Sequence, residues 1–127
     1  MDGRFLVEGP VEGTALVLAE PLSFWGGLDP VTGEIVEAHH PQRGEVVTGR
    51  VLVMPSGRGS SSSATVLAES IRLGTGPAGV VLQEADEIVA IGALVAEALY
   101  GVTTAVFLAS RDGYATIGQG DHIAFVP

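Results

Sequence analysis

The sequence predicts a single α/β domain organised around a short parallel sheet, and three observations carry that prediction. Val51-Leu52-Val53-Met54 and residues 79–82 are continuous apolar runs of strand length, the pattern of strands buried on both faces. Each is followed by apolar residues at helical steps of three and four: Ala64, Leu67, Ala68 and Ile71 after the first, Ile91, Leu94, Val95, Ala98 and Leu99 after the second. A third run, over residues 104–108, completes strand–helix–strand–helix–strand, the order that folds as a parallel sheet with right-handed crossovers.

Residues 4–7 and 14–18 predict two short strands parted by the turn-prone Glu8-Gly9-Pro10. Residues 34–36 predict a brief strand, and Val46-Val47 and residues 50–54 lead into the centre of the chain. The first helix is expected to end near Leu73, where Gly74 supplies a left-handed stop. Ala85-Asp86-Glu87 opens the second helix and Gly101 stops it. Weaker strands are expected near Thr116 and over 123–126. The short strands on either side of the parallel segment predict a second, antiparallel or mixed layer.

With 127 residues, 46% of them hydrophobic and only 17% charged, the chain buries a core as one globular domain over 1–127. A net charge of −9 argues against nucleic acid and against an acidic membrane surface, both of which call for a basic face. Zero cysteines exclude disulfides, thiolate metal ligands and a cysteine nucleophile within this chain. The longest apolar stretch, 88–99, is interrupted by Glu97 and is too short to span a bilayer. Met1-Asp2-Gly3-Arg4 is not followed by the apolar core of a signal peptide, so cytoplasmic residence of a stand-alone chain is the expectation.

Pro55-Ser56-Gly57-Arg58-Gly59-Ser60-Ser61-Ser62-Ser63 joins the first strand of the segment to its helix. Glycines there let the backbone bend and approach a ligand, and a helix start attracts anions through its free N–H groups and dipole. Arg58 adds a planar cationic donor fork suited to carboxylate or phosphate. The plainer reading is a flexible turn whose serines only cap a helix. No complete alternative motif fits: there is no Gly-Lys-Ser/Thr for a Walker loop, Ser62 stands where the dinucleotide fingerprint needs its third glycine, and Gly-x-Ser-x-Gly is not formed. In open α/β sheets, ligand loops lie beyond the carboxyl ends of the strands, where this turn falls.

Residues 20–33 form a second unusual stretch, a Gly/Pro-rich loop carrying Phe24, the single tryptophan Trp25, and Asp29. It reads either as a ligand-facing wall or as a loop pinned to the core by its aromatics, with Asp29 serving the turn Asp29-Pro30-Val31-Thr32-Gly33. His39-His40 are adjacent and so point in different directions on extended backbone. With only Glu37 and the distant His122 in view as partners, a buried turn histidine is a better reading than a metal site.

Ser23-Phe24-Trp25-Gly26-Gly27-Leu28-Asp29-Pro30-Val31-Thr32-Gly33, then His40-Pro41, Gly57-Arg58-Gly59-Ser60 and Val66-Leu67-Ala68-Glu69 resemble the aconitase X small subunit, the swivelling domain of a divergent aconitase branch. The resemblance runs from about Gly9 to Phe107 and includes Ile88-Val89-Ala90-Ile91-Gly92-Ala93 and Leu99-Tyr100-Gly101. It implies a β/β/α swivelling domain that closes over a site shared with a larger, cysteine-bearing subunit. That partner would hold an iron–sulfur cluster, and none would be bound by this chain alone. Implied too is a hydro-lyase acting on a small hydroxy acid, cis-3-hydroxy-L-proline in bacterial members or mevalonate 5-phosphate in archaeal ones. Ser60 matches the serine base of the superfamily, and Arg58 a clamp on the substrate. Gly59, Ser61, Ser23, Trp25, Gly26, Gly27, Asp29 and His40 are the further substrate-binding candidates.

Two departures from the family pattern stand out. Ser61-Ser62-Ser63 occupy positions where relatives carry Cys, Thr or Gly, and Glu37 stands where Asp is common. The form of Trp25 and of His39-His40-Pro41 resembles bacterial members and favours the hydroxyproline substrate. Two other classes compete: a non-catalytic module that binds an anionic metabolite at the serine turn, and a phosphohistidine carrier using His39 or His40. The carrier is disfavoured because no helix starts directly after the histidines.

Overall fold

A computed structural model describes all of residues 1–127. Six strands, β1 (Gly3–Val7), β2 (Val11–Val17), β3 (Val51–Met54), β4 (Gly79–Leu82), β5 (Ala105–Ala109) and β6 (His122–Phe125), form one mixed sheet in the order β1-β5-β4-β3-β2-β6. The helices are α1 (Phe24–Gly27, a single distorted turn), α2 (Ser62–Leu73), α3 (Glu87–Tyr100) and α4 (Arg111–Ala115).

The parallel segment stands as the apolar runs require. Val51 lies opposite Gly79 and Gly79 opposite Ala105, with α2 and α3 as the two crossovers. β2 joins it in parallel on the other side, Ala15 opposite Val51. Alternate residues of β3 enter different cores. Leu52 and Met54 face α2, α3 and the long loop after β2, whereas Val51 and Val53 face a second cluster with Val11, Val81 and Phe107. A strand with apolar neighbours on both faces has no polar face to show, hence the unbroken run.

The second cluster exists because the sheet curls. Phe5 of β1 and Phe125 of β6, at opposite ends of the strand order, have ring centroids 5.8 Å apart, and Phe107 stands edge-on to each at 4.9 Å. The outcome is a half-barrel with α2 and α3 on its outer face. The expected second β layer is therefore the sheet's own rolled edge: β1 pairs antiparallel with β5, and β6 with the first half of β2.

Glycine sets the helix pair. A Cβ at Gly92 would sit 2.9 Å from the Ala64 carbonyl oxygen, so only glycine lets α3 lie this close to α2. Gly74 (φ 77°) and Gly101 (φ 68°) end their helices in the left-handed region, as expected.

Two expectations are corrected. The stretch before Thr116 is helical, not extended: Ser110 accepts the Gly113 N–H at 3.0 Å and starts α4. Residues 34–36 and 46–47 make only isolated bridges, Leu28 with Ile35 and Glu34 with Val46. The left-handed residues Gly33 (φ 78°), His39 (φ 66°) and Gly44 (φ 96°) turn the chain on both sides before a ladder can extend.

Candidate active site

The carboxyl ends of β3 and β4 carry the serine turn, and two acidic side chains from elsewhere in the chain shape it. Asp86 caps α3, its Oδ1 accepting the N–H groups of Ile88 (2.9 Å) and Val89 (3.2 Å), while its Oδ2 accepts the Gly57 N–H at 2.9 Å. One carboxylate thus fixes both a helix start and the first bend of the turn. Arg58 N–H donates to the Leu22 carbonyl at 3.1 Å, tying the turn to the loop after β2. Gly59 has φ 106°, and a Cβ there would lie 2.7 Å from Ser23 Oγ. Glycine is required at this point by conformation and by space alike.

Ser60 follows, exposed to solvent. Its carbonyl accepts the Ser63 N–H at 2.9 Å and its Oγ accepts the Ser62 N–H at 3.3 Å. The N–H groups of Gly59, Ser60 and Ser61 donate to nothing within the chain. Ser61 is helical (φ −57°) and makes no side-chain cap. The turn therefore offers three free donors, the positive end of a twelve-residue helix and two accessible hydroxyls, those of Ser60 and Ser61.

The loop after β2 supplies the facing wall. Phe24 is its anchor at 1% exposure, whereas Trp25 stands 63% exposed. Trp25 N–H donates to the buried Ser63 hydroxyl at 3.2 Å, and Ser23 Oγ donates to the Trp25 carbonyl at 2.9 Å. Ser23 N–H donates to Glu37 Oε1 at 2.9 Å. The other oxygen of Glu37 pairs with Arg58 Nη2, and Glu20 lies 4.0 Å from the same nitrogen. Two carboxylates beside one guanidinium leave this corner with a formal charge of −1.

The sequence-predicted residues divide accordingly. Arg58, Gly59, Ser60, Ser61, Ser23, Trp25, Gly26 and Gly27 lie in the turn and in the loop that meets it. His40 is buried at 4% with both ring nitrogens engaged. Its Nδ1 accepts the Gln42 N–H at 3.0 Å, so the proton is on Nε2, which donates to the Glu20 carbonyl at 3.2 Å. Asp29 is engaged by its own turn, Oδ1 accepting Val31 N–H at 2.9 Å. The neighbouring Pro30 carbonyl accepts from Thr75 Oγ1 at 2.6 Å, beyond the C-terminal end of α2 and away from Ser60. Glu69 pairs with Arg72 along α2, and that hydrogen bond holds its carboxyl below, and the guanidinium above, their ordinary values.

Sequence reasoning missed what holds the site together. Ser63 was one serine among four, Asp86 a generic helix opener and Glu37 a conceivable ligand. Their bonds to Trp25, Gly57 and Arg58 span 38, 29 and 21 residues, and no local pattern announces them.

A half-barrel with two helices on its outer face, and a glycine-serine turn at the carboxyl ends of its parallel strands, defines a swivel-type α/β domain. The family model for the aconitase X swivel domain matches residues 1–126, and the chain belongs to that family. The crystal structure of Thermococcus kodakaraensis aconitase X in its holo-form superposes with a TM-score of 0.86 at 30% identity, covering 97% of this chain and 88% of that one. A cis-3-hydroxy-L-proline dehydratase of Pseudomonas aeruginosa is 48% identical over 98 residues, 77% of this chain but 17% of that relative's length. A phosphomevalonate dehydratase small subunit of Methanopyrus kandleri is 42% identical over 121 residues, 95% of this chain and 86% of that one. The same domain thus occurs as part of a long chain and as a separately named small subunit. No helix here is long and apolar enough to cross a membrane.

Proposed function

We propose that this chain is the small subunit of an aconitase X-type hydro-lyase that dehydrates a small hydroxy acid, with Ser60 as the base. cis-3-Hydroxy-L-proline is the leading substrate, on the 48% identity to the Pseudomonas aeruginosa enzyme. One observation supports the assignment of Ser60: it directly follows the left-handed Gly59 on the exposed turn before α2, where the N–H groups of Gly59, Ser60 and Ser61 have no partner within the chain, and the family resemblance selects it over the equally exposed Ser61. A free serine is far too weak an acid to serve as a base at neutral pH. Fixed N–H donors and a helix terminus stabilise its alkoxide, and far more strongly once water is excluded.

In this reading Arg58 and the free N–H groups orient the acid group of the substrate. Ser60 Oγ takes the proton from the carbon next to the one bearing the hydroxyl. The electron pair left behind forms the new double bond as the hydroxyl departs on the partner's side of the site. Gly59, Ser61, Ser23, Trp25, Gly26 and Gly27 shape the wall, and Asp29 and His40 hold its loop in place.

The chain does not fit an iron–sulfur cluster by itself, having no cysteine and no group of three side chains placed to hold a metal. The thiolates such a cluster needs belong to the larger subunit. A partner is also consistent with the outer face of α3, where Ile91, Leu94 and Leu99 are exposed. Cytoplasmic residence is part of the same proposal.

The archaeal relative supports a second substrate, mevalonate 5-phosphate, because its small subunit matches nearly end to end. Purification of the tagged chain from its host, with the visible absorption of whatever accompanies it, tests the proposal. A brown complex with a larger cysteine-bearing protein that dehydrates one of the two acids is expected. A colourless chain recovered alone would favour the anion-binding module instead.

A further inference from the structure

We infer that Glu37 is the positioning residue of this site: its single carboxylate locks Arg58 and the 23–27 wall into one unit facing Ser60. The inference rests on the reading that Arg58 meets the acid group of the substrate.

Glu37 is placed to do this from every side. Its oxygens are divided, Oε1 accepting the Ser23 N–H at 2.9 Å and Oε2 pairing with Arg58 Nη2. Its backbone is held in turn, since Gly27 O accepts the N–H groups of Val36 (2.8 Å) and Glu37 (3.2 Å) while Glu37 O accepts that of His40 (3.2 Å). Gly27 makes the room, because a Cβ there would lie 2.9 Å from Glu37 Oε1. The Glu37 side chain is 17% exposed, against 50% for Glu20 and 46% for Arg58. Glu37 is therefore the fixed member of the trio, and Arg58 the one held.

The pairing leaves Arg58 usable. Only Nη2 is engaged, and Nε and Nη1 donate to nothing within the chain. A guanidinium gripped at one nitrogen and free at the others is oriented in advance for a carboxylate or phosphate, which reduces the ordering needed on binding. Without Glu37 the long Arg58 side chain would sample many rotamers, and the Ser23 N–H would lose its acceptor.

A double-mutant cycle in the reconstituted two-subunit complex tests this, with cis-3-hydroxy-L-proline and mevalonate 5-phosphate as substrates. Arg58→Ala is expected to lower kcat/KM about 100-fold, and Glu37→Gln about tenfold, mainly through KM. In the Arg58→Ala background Glu37→Gln should change kcat/KM by less than about twofold, because it acts through Arg58. Nitrogen-15 NMR of the full chain alone adds a readout independent of turnover. Guanidinium rotation of Arg58 should be hindered in the wild type and free in Glu37→Gln, with the Ser23 amide still bonded to the Gln oxygen. Additive effects, or a KM that falls in Glu37→Gln because a competitor has been removed, would overturn the inference. Wild-type kinetics in an assembled Arg58→Ala complex would instead overturn the substrate reading beneath it. If Glu37→Gln fails to fold, Glu37→Asp, the residue common in relatives, is read instead: kcat/KM within about threefold of wild type with Arg58 rotation still hindered is expected, and wild-type kinetics with a freely rotating guanidinium would overturn the inference.

Discussion

Two glycine-bearing turns of this chain, Asp29–Gly33 and the serine turn, lie at opposite ends of α2, yet their hydrogen bonds differ. At the Asp29–Gly33 turn nearly every group is used: Asp29 accepts from Val31 and Gly33, Asp29 N–H donates to Glu34, and Val47 N–H donates to the Gly33 carbonyl. Thr75 then staples it to the end of α2. At the serine turn three successive N–H groups and the Ser61 hydroxyl are left over, and the Ser60 hydroxyl only accepts. Gly59, Ser60 and Ser61 are exposed, so water satisfies their N–H groups in the free chain, and the donors stay available to an anion that displaces it. Glycine content alone separates nothing here; the unsatisfied donors do.

That contrast can be broken by substitution. The largest effect is expected at Gly59→Ala. Its left-handed backbone and the Ser23 contact together make the substitution cost about 1–3 kcal/mol. Thermal unfolding should shift down by several degrees, and turnover of the assembled enzyme should fall at least tenfold. Asp29→Ala comes next, removing one turn bond at a cost of about 1 kcal/mol, which lowers Tm by a few degrees. Turnover per folded complex should be unchanged, and a loss of activity there would erase the distinction between the two turns.

Trp25→Ala should leave Tm unchanged within error, since the residue is 63% exposed. As the only tryptophan, Trp25 also reports on closure. Its emission should shift to the blue when the larger subunit covers the serine turn, and an unshifted spectrum in the assembled complex would place the partner elsewhere. The smallest effect belongs to the Glu69–Arg72 pair. Because the folded carboxyl titrates below its ordinary value, its contribution is present above the unfolded pKa and lost as pH falls through the folded one. Both groups are exposed, so Glu69→Gln should not measurably change stability, while NMR titration of the wild type should find the Glu69 carboxyl depressed.

What the sequence made legible was local and periodic. The β3 run, the helical steps of α2 and α3, and the stops at Gly74 and Gly101 follow from side-chain period and backbone freedom, and each stands where expected. The serine turn was equally visible as a strand-to-helix junction. The curl that brings Phe5 to Phe125 was not, because it joins the two edges of the sheet. Helix α4 was missed because Ser110 capping Gly113 decides five residues that carry no apolar period. Asp29 and His40 show the same limit from the other side: polar residues in a Gly/Pro loop look alike whether they face a ligand or bond to their own turn.

The central claim is that Ser60 takes the proton, and rapid-mixing single-turnover kinetics of Ser60→Ala in the reconstituted complex test it most directly. The account predicts unchanged assembly and substrate Kd, with the rate of product formation lowered by about 10³-fold or more. Product forming within tenfold of the wild-type rate would contradict it and return Ser60 to the role of a helix cap.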